Sequence, residues 1–392
     1  MAWVDLSDGS KQLSIPTASS WHRVSRAPSA NISRCRMLPS RQYEPRHTSM
    51  ASRWKERLLD FAGRAGGFAA ARRLTARSLR ILAYHGLWIT PGYAFGNRLF
   101  MGPEQFEARM TWLARSPYPV LPLGEAVERL RENALPPGAT VITIDDGWHT
   151  TYTHMLPVLE RLGLPATVYV TTYYVERRAP VVNVAITYLT EATTFTSVDL
   201  DGLLVGGTHA LDTVVAREAL AHRLHVAIDT LEGLDLRVAA LLALAQRFGV
   251  EVKPWMENGQ FHNMTPSEVA DAARRGLDIQ LHTHRHRGVM DDTLARELAD
   301  NRAALVRACG AHLHFDHFCY PSGNYRASAE AALAASGVRS ATLVEHGINP
   351  PATNPYRLRR FLDGRSVSQT MFEAYLSGTL ELAARATGRG GR

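Results

Sequence analysis

Residues 141–147 read Val141-Ile142-Thr143-Ile144-Asp145-Asp146-Gly147, an apolar run that leads into two acidic residues. Four apolar or β-branched residues in a row are typical of a strand that is covered on both faces. The two carboxylates that follow are costly to bury unless a metal or hydrogen bonds hold them. Because α/β folds place their chemistry at the carboxyl ends of parallel strands, the sequence predicts a functional site here. The alternative is that the acidic pair caps a following helix, with a turn at Gly147.

A second polar cluster follows another short apolar run. Residues 278–281 are strand-like and lead into His282-Thr283-His284-Arg285-His286, which holds three of the 16 histidines of the chain. His282 and His286 are four residues apart, so one helical turn would place both imidazoles on the same side, whereas a strand would pair His284 with His286. Neutral imidazole is a common ligand for zinc. A site of two histidines and one carboxylate explains both clusters better than a solvated polar loop does.

Four motifs, each at the end of a predicted strand, resemble those of the polysaccharide deacetylase family. The motifs are Thr143-Ile144-Asp145-Asp146-Gly147, His282-Thr283-x-x-His286, Phe318-Cys319-Tyr320-Pro321-Ser322-Gly323 and Ile81-Leu82-Ala83-Tyr84-His85. The last is similar to the first strand of the circularly permuted branch, which carries an N-terminal Tyr-His motif, and residues 354–360 also resemble a family motif. The resemblance covers about residues 80–378 and implies a hydrolase of the carbohydrate esterase type.

Hydrolysis of an amide at a metal requires an activated water, a base, an acid and an oxyanion stabiliser. The sequence predicts Asp146, His282 and His286 as the ligands of one divalent ion, with zinc as the expected cofactor. Three protein ligands leave a zinc position open for water and substrate. Asp145 is then free to take the proton from the water. The resemblance implies the same division, with the first aspartate as the base and the second as a ligand.

A leaving amine must be protonated, and an imidazole suits that role near neutral pH. His85 follows the strand-like run at residues 81–84 and could reach the same rim. In the permuted branch the acid histidine is carried there, so the resemblance implies that His85 is the general acid. The alternative is a core histidine bonded to a backbone carbonyl. In that case His346 and His284 are the next candidates.

The third motif departs from the commonest form of the family, in which an arginine at the Cys319 position would hold the base. Arg360, in a late strand-like run, is the expected substitute, although an ordinary surface arginine is the alternative interpretation. The resemblance also implies that Ser322 lends its backbone N–H to the oxyanion. Tyr320, Pro321 and Ser322 are therefore the expected oxyanion and substrate positions.

The composition is typical of a globular enzyme. The chain has 392 residues, of which 45% are hydrophobic and 21% are charged, a length that allows one large barrel or two modest domains. The three cysteines, Cys35, Cys309 and Cys319, have neither metal-binding spacing nor enough members for a disulfide framework. This cysteine usage favours a reducing compartment, so we expect a cytoplasmic protein that could lie peripheral to a membrane. The sequence as numbered has no apolar run long enough to span a membrane and no secretory signal.

The positive charge is confined to the start of the chain. The net charge is +7, but residues 1–79 hold 14 Lys/Arg against 5 Asp/Glu, or +9, so the rest of the chain carries 7 − 9 = −2. A nucleic-acid partner is therefore not expected. Residues 1–49 are predicted to be disordered or to precede a true start at Met50, with a transit peptide as a further alternative.

Residues 50–79 are predicted to form a basic amphipathic helical segment, which could make weak contact with an anionic membrane surface through residues 53–79. Packing against its own domain is the alternative. The three glycines in this segment, Gly63, Gly66 and Gly67, count against the membrane interpretation.

Strand-like runs alternate with helix-like stretches over residues 80–378, which predicts an α/β fold, a distorted parallel (β/α) barrel of seven or eight strands. The predicted strands are 81–84, 120–123, 141–144, 166–171, 279–281, 317–320, 341–344 and 358–362. Residues 175–262 are too long for one crossover, and apolar periodicity at 217–229 and 236–248 indicates a helical insertion that could cover the site as a lid. Residues 379–392 are expected to be a flexible tail.

The predicted function is that of a metal-dependent amidase that removes an N-acetyl group from an acetylated amino sugar or polysaccharide. Two alternatives remain open. One is a deformylase or esterase that acts on a lipid-linked or other acylated sugar. The other is a catalytically inactive relative that only binds carbohydrate, although the predicted base, acid and three ligands count against it. The sequence predicts no oligomeric state.

Overall fold

The computed structural model of this protein describes residues 50–96, 99–287 and 293–387. The expectations for residues 1–49 lie outside these residues. The described part begins with the helices Met50–Arg64 and Gly67–Leu74, which fall in the segment that was predicted to be helical. Within the expected tail, Thr379–Ala386 forms a helix. Among the described residues, no helix combines the length and the apolar character that crossing a bilayer requires.

The centre of the fold is a parallel sheet of seven strands, labelled β1 to β7 in chain order. Their bounds are Arg80–Tyr84 (β1), Thr140–Ile144 (β2), Thr167–Val170 (β3), Asp278–Leu281 (β4), His317–Cys319 (β5), Ser340–Thr342 (β6) and Phe361–Leu362 (β7). The order across the sheet is β6-β5-β4-β3-β2-β1-β7. These strands are short and almost completely buried, as their continuous apolar runs predict.

The sheet curls until its two edges meet. β7 pairs with β1, in the register Leu82 opposite Phe361. On the other side, Leu358 donates its N–H to the Ala341 carbonyl and accepts the N–H of Leu343, which ties the start of the last strand segment to β6. The predicted distorted parallel barrel is therefore confirmed, with seven strands.

The eighth predicted strand, at residues 120–123, is wrong. Val120 makes a single bridge to Thr140, and the helix Leu123–Arg131 begins directly afterwards. Pro122 explains the difference, because it has no N–H for a strand ladder and its carbonyl accepts the N–H of Ala126 in the first helical turn.

Helices cover the outside of the barrel and close one end of it. Leu123 and Leu130 join Ile81 and Val141 in one buried cluster, which fills the barrel where the strands begin. The helices of the barrel are Pro103–Arg115, Leu123–Arg131, Leu156–Leu162, Pro266–Arg274, Leu294–Cys309, Ser328–Ala335, Gln369–Leu376 and Thr379–Ala386, with a π-helical turn at Thr151–Met155.

The region between β3 and the helix Pro266–Arg274 builds a second hydrophobic core of its own. It contains the helices Tyr173–Arg177, Val182–Ala192, Val214–Asp229, Leu234–Phe248 and Lys253–Glu257, and an antiparallel ribbon of Ser197–Asp199 with Thr208–Ala210. Trp88, Phe95 and Phe100 from the chain after β1, together with Trp148, pack into this core. A short ribbon of Gly86–Leu87 with Phe100–Met101 connects the two cores.

Candidate metal centre and catalytic groups

The chemically active side chains gather at the end of the barrel where the strands finish. All except Arg360 follow a barrel strand, which positions them on one rim, whereas Arg360 precedes β7 and reaches this rim through its long side chain. The residues, with the strand that each adjoins, are His85 (β1), Asp145 and Asp146 (β2), His282 and His286 (β4), Tyr320, Pro321 and Ser322 (β5), and Arg360 (β7).

Asp145 and Arg360 form a buried bidentate ion pair. The Arg360 guanidinium donates to Oδ1 of Asp145 at 2.7 Å and to Oδ2 at 2.8 Å, and a further bond reaches the Thr143 hydroxyl at 3.1 Å. Arg360 is only 1% exposed, so it is not a surface arginine. Burial alone would raise the pKa of Asp145, but the Arg360 guanidinium, with smaller contributions from His85 and His282, outweighs burial and the pKa lies below its usual value. Asp145 is therefore held as a carboxylate.

Cys319 lies beside this ion pair. Its Sγ is 3.0 Å from an Arg360 nitrogen and 3.5 Å from Oδ2 of Asp145. A thiol is much smaller than a guanidinium, so Cys319 leaves room for the arginine that arrives from the last strand segment.

Asp146, His282 and His286 bring three ligand atoms together. Oδ1 of Asp146 lies 3.2 Å from Nε2 of His282 and 3.2 Å from Nε2 of His286, and the ligand atoms are all within 4.8 Å of one another. Nδ1 of His282 is 2.8 Å from the Cys319 carbonyl oxygen, to which it donates its proton, and this bond orients the ring so that Nε2 faces Asp146. One carboxylate and two imidazoles fit a divalent ion such as zinc.

The surroundings of these ligands keep Asp146 ionised and leave one side open. Burial would raise the pKa of the Asp146 carboxyl, but the neighbouring His286 and His282 hold it well below its usual value. The His286 side chain is 38% exposed whereas that of His282 is 2% exposed. The candidate centre therefore opens to solvent on the His286 side.

Two further side chains hold Asp146 in place, and the sequence analysis missed both. The indole N–H of Trp148 donates to Oδ2 of Asp146 at 2.9 Å, and the Asn263 amide donates to the Asp146 carbonyl at 2.8 Å. Trp148 could have been found from its position, since it directly follows the Asp-Asp-Gly motif. Asn263 lies more than 100 residues away along the chain, and nothing local marks it.

Asn301 supports His282 in the same way. Its side-chain oxygen accepts the backbone N–H of His282 at 2.9 Å, while its side-chain NH2 group donates to the Val170 carbonyl at 2.9 Å. Asn301 was not predicted from the sequence, although a signal was present. Asn301 is buried on the same face of its helix as Leu298 and Leu305, at a position where the helical pattern calls for an apolar residue.

Positive φ angles concentrate at this rim. Seven non-glycine residues in the described part of the chain have a positive φ, and four of them lie here: Asp146 (70°), Thr283 (63°), His286 (53°) and Ser322 (55°). Such conformations are costly, above all for a β-branched threonine, and they concentrate at functional sites. Gly147 is also at φ 75°, and a Cβ there would lie 3.1 Å from Val170. The chain therefore needs glycine directly after the two aspartates.

His85 lies close to Asp145, the candidate base, and one of its ring nitrogens is buried. Its Nε2 is 3.8 Å from Oδ2 of Asp145, and its Nδ1 is buried without a hydrogen-bond partner among the described residues. The backbone-carbonyl bond that a core histidine would make is thus not found at Nδ1. Burial lowers the pKa of His85 below its usual value.

The two other candidates for the acid lie in different surroundings. Nδ1 of His284 is 2.8 Å from the Thr172 hydroxyl, and its ring packs edge-on against Tyr173. His346 is exposed and packs against Phe361.

The third motif presents one backbone donor at the rim. The Tyr320 N–H is used in a bond to the Thr342 carbonyl at 3.2 Å, and Pro321 has no N–H. Ser322 therefore carries the remaining backbone N–H of the three. The Tyr320 hydroxyl is buried and has no hydrogen-bond partner within the described part of the chain.

Comparisons with known proteins agree on one family. The sequence profile described as Polysaccharide deacetylase matches residues 132–195 and 232–341. The Bacillus subtilis (strain 168) protein named "Putative polysaccharide deacetylase YxkH" is 36% identical over 92 residues, which is 23% of this chain and 31% of that protein. This chain thus spans about a third of the length of the curated relative that it matches.

A solved structure shares the fold. The structure "Streptococcus pyogenes deacetylase PplD in complex with acetate" superposes with a TM-score of 0.51 at 16% identity, over 77% of this chain and 99% of that one. At this identity the likeness concerns the fold alone.

Proposed function

We propose that this chain, which belongs to the polysaccharide deacetylase family, is a metal-dependent hydrolase that removes the N-acetyl group from an acetylated amino sugar or polysaccharide. The observation that carries the proposal is the different pairing of two adjacent aspartates. Asp146 faces two imidazoles, whereas Asp145 faces a buried guanidinium. One carboxylate can hold a metal while its neighbour takes a proton, and hydrolysis at a metal needs both.

The metal would be bound by Oδ1 of Asp146 and by Nε2 of His282 and His286. A divalent ion, with zinc as the expected one, would polarise the amide carbonyl and acidify the attacking water. Three features of the chain support this arrangement. The low pKa of Asp146 supplies a carboxylate, the Cys319 carbonyl orients His282, and the exposed side of His286 admits substrate.

Asp145 is assigned the role of the general base. The bidentate bonds to Arg360 fix the orientation of its carboxylate and keep it ionised, so it can accept the proton of the attacking water. Arg360 acts through Asp145 and is therefore a positioning residue.

His85 is assigned the role of the general acid, and the third motif the role of the oxyanion site. Nε2 of His85 lies 3.8 Å from Oδ2 of Asp145, so the imidazole is placed to pass a proton to a nitrogen leaving group as the amide bond breaks. The backbone N–H of Ser322 would donate to the carbonyl oxygen as negative charge develops there, with Tyr320 and Pro321 shaping the substrate position.

The proposal is tested by metal content and acetate release. Wild-type protein should contain about one equivalent of divalent metal by elemental analysis, and should release acetate from N-acetylglucosamine oligomers. His282→Ala should lose both the metal and the activity, because two ligands cannot hold the ion as tightly. His284→Ala is the matched control: this histidine is two residues away and bonds to Thr172, so its replacement should keep the metal.

Three results would contradict the proposal in different ways. A His282→Ala variant that retained a full equivalent of metal would contradict the assignment of His282 as a ligand. Release of formate from N-formyl sugars, or of acetate from sugar esters only, would favour the deformylase or esterase alternative. Glycan binding without hydrolysis by metal-loaded wild type would favour a carbohydrate-binding relative.

A further inference from the structure

We propose that an exposed face of the two N-terminal helices binds the surface of an anionic lipid bilayer. The helices are Met50–Arg64 and Gly67–Leu74. Their exposed arginines and large apolar residues, with the exposed arginine that follows, form what we call the basic apolar face: Arg57, Leu58, Phe61, Arg64, Arg73, Leu74 and Arg77. This proposal does not depend on the hydrolytic activity of the barrel.

The opposite side of the helices is fixed to the body of the protein. Met50–Arg64 contacts the helix Gln369–Leu376, and Gly67–Leu74 contacts Thr379–Ala386. The Thr75 hydroxyl lies 2.8 Å from the Ala71 carbonyl oxygen and 3.2 Å from that of Ser377, which locks the end of the second helix in place. The basic apolar face is therefore held outwards by packing on its reverse side.

The glycines of this segment serve the turn between the helices. Gly66 has a φ of 83°, and a Cβ at Gly67 would lie 2.7 Å from the Ala62 carbonyl oxygen. A Cβ at Gly63 would lie 3.0 Å from Phe68. Their presence thus has a structural cause, and it no longer counts against contact with a membrane.

Three large apolar side chains project from the face. Leu58 is 66% exposed, Phe61 is 71% exposed and Leu74 is 77% exposed. Leu58 and Phe61 are three residues apart on the first helix, which puts them on the same side of it. Exposed side chains of this size are unfavourable in water and are typical of a surface that enters the interfacial region of a bilayer.

Positive charge surrounds these side chains. Residues 50–79 hold seven Lys/Arg and two Asp/Glu, or 7 − 2 = +5, whereas residues 80–392 carry −2. Arg64, Arg73 and Arg77 are exposed on the face, and Asp60 is paired with Arg64 at 3.0 Å. Arginines next to apolar side chains can keep their charge at the lipid headgroups while the apolar groups insert.

This combination favours an anionic bilayer over other occupants. A nucleic acid would match the arginines but would leave Leu58, Phe61 and Leu74 in water. A second copy of the chain would cover the apolar groups but would bring two positively charged faces together. Anionic lipid satisfies both the charge and the apolar surface.

The second helix ends at Leu74, shortly before β1 begins at Arg80, so its end lies at the side of the barrel opposite the candidate catalytic groups. Arg80, the first residue of β1, donates to the Leu376 carbonyl at 2.7 Å and so joins this end of the strand to the C-terminal helices. His85 follows the other end of the same strand. A chain bound through the basic apolar face would keep its catalytic rim away from the lipid and open to the aqueous phase.

The test is flotation of the full-length chain with lipid vesicles. Vesicles with roughly 30 mol % phosphatidylglycerol in phosphatidylcholine should bind the protein, while phosphatidylcholine alone should bind it weakly, and added salt should reduce binding. The triple variant Leu58→Ser, Phe61→Ser and Leu74→Ser should bind at least about tenfold more weakly. The matched control replaces three exposed valines of the insertion, Val214, Val215 and Val226, by serine and should bind like wild type.

A charge variant keeps the test decisive if the apolar variant does not fold. Replacing Arg64, Arg73 and Arg77 by glutamine should also weaken binding, and an unchanged thermal melting curve would show that the fold is intact. Wild-type protein that does not bind the anionic vesicles would overturn the proposal, as would variants that bind as tightly as wild type. Two further results would overturn the proposal. One is sedimentation that shows a dimer for wild type but a monomer for the serine variant. The other is tighter binding to duplex DNA than to the vesicles.

Discussion

Asp145 and Asp146 are adjacent in the sequence, yet their carboxylates have different partners. Asp145 continues the extended chain of β2 and meets Arg360, while the positive φ of Asp146 turns its side chain towards His282 and His286. A residue at φ 70° is strained, and the hydrogen bonds from Trp148 and Asn263 oppose its relaxation. The different partners of the two aspartates thus have a cause in the backbone.

The first prediction separates these two residues. Asp145→Asn should keep the metal and lower kcat by about 10²–10⁴, because only the proton acceptor is removed. Asp146→Asn is the matched control and should lose the metal, as measured by elemental analysis. Since Asp145→Asn leaves the buried Arg360 charge without its ion partner, the melting temperature should be measured alongside. Metal lost from Asp145→Asn but kept by Asp146→Asn would reverse the assignment.

The second prediction concerns His85. Amines are poor leaving groups unless they are protonated, whereas activated acetyl esters depend much less on an acid. His85→Ala should therefore reduce the rate on N-acetyl sugars far more than on activated esters, mainly in kcat, with metal content unchanged. Small and equal losses on both substrates would mean that the acid must be sought elsewhere, with His346 and His284 next.

The sequence could indicate the site residues that belong to motifs, but not the residues that hold them in place by hydrogen bonds. Asp145, Asp146 and His282 were found because they follow apolar runs. Arg360 could be named as a replacement for a missing arginine, although its partner Asp145 lies 215 residues away. Asn263 contacts the site only through the tertiary fold, and no local pattern predicts such a contact.

The helical insertion joins the barrel next to the candidate metal centre, and His262 lies at this junction. Its backbone N–H donates to the Gly259 carbonyl, and its own carbonyl accepts the N–H of His149. Burial, and secondly the nearby His149, lower the pKa of His262 to about 4, and its Nδ1 is buried without a hydrogen-bond partner among the described residues. His262 is thus held neutral at physiological pH.

The third prediction follows from that pKa. An unfolded histidine titrates near pH 6.5, so between about pH 6.5 and 4 the unfolded chain binds more protons at this position than the folded chain does. The contribution of His262 to stability is complete above pH 6.5 and is lost as the pH falls towards 4. His262→Gln should therefore reduce the loss of unfolding free energy between pH 7 and pH 5 by roughly 1–2 kcal/mol.

Urea unfolding of both proteins at the two pH values measures this difference. Replacement of His312, an exposed residue outside the insertion, is the control and should leave the pH dependence unchanged. If His262→Gln and wild type lost stability in parallel, protonation of another group would have to explain the acid sensitivity.

Secondary-structure elements were predictable where one local signal dominated. The buried strands follow from continuous apolar runs, and the helices Val214–Asp229 and Leu234–Phe248 from apolar periodicity. The predicted strand at 120–123 failed because a proline in a short apolar run starts a helix here. The glycines between the first two helices were judged by their helix propensity, although their function is to form a close turn.

At the scale of the whole molecule, the two ends of the described chain pack together. β1 pairs with β7, and the N-terminal helices lie against the helices Gln369–Leu376 and Thr379–Ala386. The overall class of fold was predictable from the alternation of strands and helices. The pairing of the last strand segment with β1 was not, because it depends on hydrogen bonds between segments that are nearly 300 residues apart.

That closure has a consequence for the order of events during synthesis. The ribosome releases β1, both aspartates, His282 and His286 well before residue 360, yet the guanidinium that balances Asp145 arrives with the last strand segment. A nascent chain halted before that point would carry Asp145 without its counter-ion and the first strand with an unpaired edge. The protein is thus expected to acquire activity only after residue 360 has been synthesised, which keeps a shorter nascent chain from acting on substrate.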